Sequence, residues 1–297
     1  MSVETKFRAG YVAIVGCPNV GKSTLMNRLI GAKVSITSKK AQTTRHRIHG
    51  ILTTDDFQYV FVDTPGFQTQ HRNALNRAMN RTVTGALADV NLVFLVIEAN
   101  RWREEDRAVL AKLPADTPVV LVINKVDRLT DKNSLLPFMA KLAAEHPFSE
   151  IVPISAERSE RLDVLLKAAS RYLPESAPIF DAEDMTDRSE RFLASEILRE
   201  KLFRNLGEEL PYGIAVEIER FEEEEGVRRI HCAIIVDRDA HKAIVIGKGG
   251  ERMKRVSSDA RKDMERLFGS KVWLETWVKV KSGWADDERA LRSLGYE

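Results

Sequence analysis

The run Gly16-Cys17-Pro18-Asn19-Val20-Gly21-Lys22-Ser23 has the spacing GxxxxGK[ST]. It lies between an apolar stretch that reads as a strand and an amphipathic stretch that reads as a helix, which is the setting this motif needs. Its glycines let the backbone curl so that successive N–H groups face a phosphate. The N-terminus of the following helix adds positive partial charge. Lys22 reaches β- and γ-phosphates, and the Ser23 hydroxyl is a ligand for Mg²⁺. Candidate nucleotide contacts are therefore Gly16, Pro18, Asn19, Val20, Gly21, Lys22, Ser23 and Thr24.

Three further signals follow, each at the end of an apolar run. Asp63-Thr64-Pro65-Gly66 offers a carboxylate that can hold Mg²⁺ through its water shell and a Gly66 N–H that can sense a γ-phosphate. Asn124-Lys125-Val126-Asp127 places a carboxylate where a base could be read. Guanine presents N1–H and N2–H₂ on one edge and adenine does not, so Asp127 points to GTP over ATP by charge-assisted hydrogen bonding. Asn124 is expected to tie loops together and contact the base, while the Lys125 stem covers its face. Ser155-Ala156 is expected to give a backbone N–H to the guanine carbonyl.

These four motifs, in this order, resemble the translation-factor-related P-loop GTPases, and the resemblance covers Gly10 to about Leu173. It implies a switch segment at Ser38–Arg45, in which Thr43 or Thr44 ligates Mg²⁺ in the GTP state; the residues themselves do not choose between the two. Lys22, Thr43, Thr44 and Gly66 are the candidates for catalysis, and Ser23, Thr43, Thr44 and Asp63 for the Mg²⁺ site. Phe67 stands where Ras-like enzymes carry the glutamine that orients water, so slow intrinsic hydrolysis is expected. Asn19 resembles the P-loop asparagine of GTPases in which K⁺ bridges the phosphates, which makes K⁺ a candidate second cation.

The elements that must position these groups are visible as alternating patterns. Tyr11–Val15, Tyr59–Val62, Leu92–Ile97, Val119–Ile123 and Ile151–Ile154 are Val- and Ile-rich runs that read as buried strands. Ser23–Ile30, Leu75–Ala88, Glu104–Leu113, Leu135–His146 and Arg161–Leu173 read as helices between them. The alternation predicts an α/β domain with a mostly parallel sheet and helices on both faces. Ile48–Thr54 and Gln58–Val62, joined by a short polar turn, predict one antiparallel edge strand.

The pattern breaks at Pro174–Asp187, so the expected division is a nucleotide-binding domain at 1–174, a linker at 175–187 and a second domain at 188–297. Ser189–Leu206 reads as a helix, and Gly213–Phe221 and Val227–Val236 as strands separated by Glu222–Gly226, a solvated hairpin tip. A glycine-rich loop, a helix over Glu251–Phe268 and a strand over Lys271–Lys281 complete a smaller α+β domain. That layout, with Gly247-Lys248-Gly249-Gly250 as its loop, resembles a type II KH domain. The glycines allow an RNA backbone to approach, and Lys248 adds attraction for phosphate. Ile246, Gly247, Lys248, Gly249, Gly250, Arg252, Lys254 and Arg255 are the candidate RNA contacts, with Ile244, Val245, Ile246 and Met253 as candidates for an apolar groove.

Composition limits the alternatives. With 43% hydrophobic and 30% charged residues, the chain is of the folded soluble class. No apolar run reaches the roughly 18–20 residues of a membrane span. Cys17 and Cys232 stand far apart and suggest a reducing compartment. Net charge is only +2, but between Arg238 and Lys281 twelve basic residues face six acidic ones, so positive charge concentrates near the C-terminus.

The full chain, with its Trp277–Tyr296 tail, resembles bacterial GTPases of this two-domain type. The resemblance implies a GTP-hydrolysing switch that binds single-stranded 16S rRNA near its 3′ end and acts in small (30S) ribosomal subunit assembly. It also implies a cytoplasmic monomer with a peripheral fraction at the inner membrane. The competing reading is a constitutive RNA-binding module with a vestigial nucleotide site.

Overall fold

The computed structural model describes residues 6–38, 43–65, 74–75, 85, 87, 89–207 and 213–293. The chain divides into two compact units. One comprises the described parts of Met1–Ser35, His46–Phe67 and Asn80–Asp187; the other comprises those of Ile36–Arg45, Gln68–Met79 and Arg188–Glu297.

The first unit is built on a six-stranded sheet. Its strands are β1 (Arg8–Val15), β2 (Ile48–Thr53), β3 (Phe57–Asp63), β4 (Leu92–Glu98), β5 (Val119–Asn124) and β6 (Glu150–Pro153), in the order β2-β3-β1-β4-β5-β6. Only β2 runs antiparallel to its neighbour, as its hairpin spacing predicts. β5 is buried along its whole length, as is all of β4 except Glu98 at its end. This is why both read as continuous apolar runs rather than alternating ones. Each buried Val, Leu or Ile contributes roughly 1.5–3 kcal/mol, so the sheet centre is a rigid base for the loops at its strand ends. Helices α1 (Lys22–Ile30), α2 (Glu104–Leu110), α3 (Leu135–Glu145) and α4 (Leu162–Ser170) alternate with these strands. Of the helix expected over Leu75–Ala88, most lies outside the described residues.

The segment expected as a free linker is instead pinned to the first unit. Gln58 is fully buried, and its amide accepts from Ile179 N and Phe180 N while donating to Phe180 O. Further along, Ile51 N donates to Met185 O, Thr186 Oγ1 to His49 O, and His49 Nδ1 lies 3.0 Å from Asp187. The cause is the edge strand β2, whose unpaired backbone groups take this strap as a partial extra partner. Pro174 and Pro178 prevent a helix without preventing such pairing.

The second unit contains a three-stranded sheet, β7 (Ile214–Glu224), β8 (Val227–Val236) and β9 (Lys271–Val280), with β7 antiparallel and β9 parallel to β8. Helices α5 (Glu190–Asn205), α6 (Asp239–Ile246), α7 (Glu251–Phe268) and α8 (Glu288–Ser293) complete it. Ser189 caps α5 by accepting from Phe192 N. The expected hairpin tip is shorter than the glutamate run suggests. Glu222, Glu223 and Glu224 continue β7 opposite Arg229, Arg228 and Val227, and the turn is Glu225-Gly226, both at positive φ. Cross-strand arginines stabilise these glutamates in the ladder, Arg229 pairing with Glu224 and Arg228 with Glu223.

One stretch of this unit lies outside the expected boundaries of 188–297. The described residues of Ile36–Arg45 belong to it, with Arg45 buried, donating to Ile214 O and stacked over the Phe203 ring. Trp284 of the tail is also fully buried. Its indole N–H donates to Gly213 O and its ring packs with Ala215, Ile235 and Leu291.

Candidate nucleotide and RNA sites

The phosphate loop follows β1 and opens α1. Gly16 has φ 147°, Asn19 φ 65° and Gly21 φ 104°, a succession that turns N–H groups toward one concavity. A Cβ on Gly16 would stand 2.3 Å from the Val96 carbonyl, so the close approach of β1 to β4 admits only glycine there. No side chain caps α1, which leaves its first N–H groups for an anion.

Lys22 folds over this concavity. It is buried, and its ammonium donates to Gly16 O and Cys17 O, each at 2.9 Å. Burial holds its pKa below the ordinary lysine value, and the Asp63 carboxylate acts against that shift. Ser23 Oγ donates to Asp63 Oδ2 at 2.7 Å, so the two expected Mg²⁺ groups meet. Asp63 is fully buried at the end of β3, and neighbouring Thr64 anchors that strand end by donating to Ile14 O.

The base-reading loops converge on Asn124. Its Nδ2 donates to Val20 O at 2.9 Å, and its Oδ1 accepts from Lys125 N and Ala156 N. One buried amide thus joins the phosphate loop, the Asn124–Asp127 loop and the Ser155-Ala156 loop. Lys125 sits at φ 65°, and its ammonium donates to Asn19 O at 2.6 Å and to Glu98 at 3.1 Å. Both bonds fix the end of the Lys125 stem. Asp127 is half-buried, and Ser155 Oγ donates to its Oδ1 at 2.6 Å.

In the Ser155-Ala156 loop, the Ser155 N–H donates to Glu160 O, the Ala156 N–H donates to Asn124 Oδ1, and the Ser155 hydroxyl donates to Asp127. Thr43 and Thr44 lie in the stretch that clusters with the second unit, where Arg199 donates to the Thr43 carbonyl. Gly66, Phe67 and Gln68 lie outside the described residues. Asn27, Ser35, Glu98 and Asp106 belong to no motif, and nothing in the sequence marks them. Asp106 is buried at the start of α2, and burial, aided by the neighbouring Asp106 carboxylate, pushes the pKa of the Cys17 thiol up to about 12.

In the second unit the glycine-rich loop joins α6 to α7. Gly247 has φ 75° and ψ 172°, and Gly249 and Gly250 also have positive φ. A Cβ on Gly247 would stand 2.8 Å from that of Arg252. Lys248, Lys254 and Arg255 are exposed at the loop and the first turns of α7, where phosphates could meet them. Arg252 is used differently: its guanidinium donates to the Ile244 carbonyl and closes the loop on α6. Of the groove candidates, Val245 is core, Ile246 and Met253 are partly buried against that core, and Ile244 is exposed.

A phosphate loop with a paired serine and aspartate, and a carboxylate held for a two-donor base edge, define a P-loop guanine-nucleotide-binding protein; the second unit's order and loop are those of a KH domain. Residues 11–125 match the family described as 50S ribosome-binding GTPase, and residues 209–285 match the KH domain family. The chain is 57% identical over 291 residues to GTPase Era of Nitrosomonas eutropha, covering 98% of both chains. It is 58% identical to GTPase Era of Neisseria meningitidis, covering 97% of this chain and 95% of that one. Among solved structures, Aquifex aeolicus Era bound to GDP and AlF4⁻ matches with a TM-score of 0.94 at 40% identity, covering 98% of this chain and 99% of that one. An Era complex with MgGDPNP and nucleotides 1506–1542 of 16S ribosomal RNA matches equally well. The chain belongs to the Era family of GTPases.

Proposed function

We propose that this GTPase is a Mg²⁺-dependent switch whose KH unit binds single-stranded RNA at the 3′ end of 16S rRNA and acts in small ribosomal subunit assembly. The observation that carries the reading is the Asn124 hub, which ties the phosphate loop to both base-reading loops. A vestigial nucleotide site would not need that joint, nor Lys22, Ser23, Asp63 and Asp127 all in position. The Era relative solved with MgGDPNP and a 16S rRNA fragment supports the same assignment.

The donor set fits Mg²⁺, because the Ser23 hydroxyl and the Asp63 carboxylate are hard oxygen groups beside the phosphate cradle, the second able to hold the ion's water shell. Bound there, the ion would neutralise charge developing on the β- and γ-phosphates. Lys22 adds a second positive charge, and Thr43 or Thr44 would be the further Mg²⁺ ligand in the GTP state. A K⁺ ion at Asn19 is the proposed further cation; equal turnover in K⁺ and Na⁺ would exclude it. A peripheral membrane fraction would rely on surface contact, since among the described residues no helix is long and apolar enough to cross a bilayer. The proposed working state is a cytoplasmic monomer.

The test is binding to a short RNA matching the 16S 3′ end, with a non-hydrolysable GTP analogue and with GDP, at one fixed salt concentration. Tighter binding with the analogue is expected. Equal binding in both states would leave an RNA-binding module that the nucleotide does not control.

A further inference from the structure

Asp63 has a second hydroxyl partner. Ser35 is almost fully buried, and its Oγ donates to the same Asp63 Oδ2 that accepts from Ser23, again at 2.7 Å. Ser35 does not stand there by chance of a loop conformation. The Asn27 side chain, on α1, clamps the backbone on both sides of it: Oδ1 accepts from Val34 N and Ser35 N, and Nδ2 donates to Ser35 O at 2.6 Å. Every described member of this chain of contacts lies in the first unit.

We infer that Ser35, held by Asn27, is a positioning residue for the Mg²⁺ site: it fixes the Asp63 carboxylate in the orientation that metal binding needs. Two hydroxyls converging on one oxygen restrict the carboxylate far more than Ser23 alone can. Ser23 itself is expected to become a metal ligand, so its hydroxyl must serve two partners in the loaded state. Ser35 has no such second duty and keeps Oδ2 in place throughout. Groups of this kind, one bond removed from the ion, affect metal affinity about 10–100-fold when removed. Asn27 lies on the face of α1 that looks at residues 34–35, so the same helix that begins at the phosphate loop also sets the metal-side carboxylate.

This inference rests on the reading that Ser23 and Asp63 hold Mg²⁺. The experiment measures release of a fluorescent GDP from the full chain as Mg²⁺ is titrated, and again with excess EDTA, for the unaltered protein and for Ser35→Ala. The replacement is smaller than serine and introduces no clash, and a melting curve checks that the variant is folded. The expected result is a rise of roughly tenfold in the Mg²⁺ concentration giving half-maximal retention, with release in EDTA unchanged. Identical Mg²⁺ titrations for the two proteins would overturn the inference, as would an equal acceleration with and without the ion, which marks a loosened nucleotide loop instead. If the unaltered chain showed no Mg²⁺ effect at all, the metal reading itself would fail.

Discussion

The Ser155 hydroxyl donates to the Asp127 carboxylate at 2.6 Å, and this bond restricts the orientation of the group proposed to read the base. A carboxylate accepts from both guanine donors, whereas a carboxamide turns a donor toward one of them. Asp127→Asn is therefore expected to weaken GTP binding roughly a hundredfold or more, as the loss of charge-assisted hydrogen bonds implies. The same change should favour a xanthine nucleotide, which offers an acceptor at that edge. Competition between GTP and XTP for the variant checks it, and an unaltered preference would exclude Asp127 from base reading.

Gly247 combines φ 75° with ψ 172°, a region open almost only to glycine, and its position leaves no room for a Cβ beside Arg252. Gly247→Ala must move the loop, at a cost of order 1–3 kcal/mol in local strain. RNA affinity is expected to fall roughly tenfold or more, since about 1.4 kcal/mol is a factor of ten, while GTP hydrolysis without RNA stays unchanged. Parallel RNA-binding and phosphate-release assays would separate the two. Lost hydrolysis in a folded variant would contradict the separation.

What the sequence made legible and what it hid follow from how local each signal is. The phosphate loop, Asp63, Asn124, Lys125 and Asp127 sit at strand ends within short motifs, so their types and spacing are enough to suggest the roles proposed for them. Ser35, Asn27 and Glu98 act through neighbours distant in sequence, and nothing in their flanks marks them. The strap over Ile179–Asp187 reads as a linker because its prolines exclude a helix, and a lone chain cannot display the sheet edge that receives it. The glutamates of β7 read as a turn because β-propensity disfavours them, and the arginines that override that preference lie on the next strand. The burial of α5's charges is hidden for a related reason: Glu196–Arg199 and Glu200–Arg204 have the spacing of ordinary surface pairs, and what buries them comes from outside the helix.

Arg199 and Glu196 form a buried ion pair one turn apart on α5, with Arg199 also stacked over Phe203 and donating to Thr43 O. Removing one member breaks a buried, hydrogen-bonded ion pair, which costs about 3–5 kcal/mol. Arg199→Met is thus expected to lower the denaturant midpoint strongly. Changing Glu196→Leu in the same chain should recover a large part of that loss, because no orphaned charge remains. A double-mutant cycle by urea unfolding measures the coupling, and purely additive losses would show that the two charges do not depend on each other.

Cys17 and Cys232 are both buried free thiols whose pKa values are pushed from 9.0 up to about 12, chiefly by burial, and burial likewise takes Tyr59 from 10.0 to about 12. The native state therefore retains these protons at pH values where the unfolded chain releases them. A folded-state pKa raised in this way gives stability that is complete below about pH 9 and is lost as pH rises through about 12; each pH unit separating the folded from the unfolded value is worth about 1.4 kcal/mol. Two outcomes are expected. A thiol reagent at pH 8 should modify neither cysteine until the protein unfolds, since the thiolate is the reactive form. The melting temperature should fall steeply between pH 9 and 12, and Cys232→Ala should flatten that fall while costing some stability at neutral pH. Rapid labelling of the native protein at pH 8, or an alkaline profile indifferent to Cys232, would show that these thiols are not buried as the structure places them.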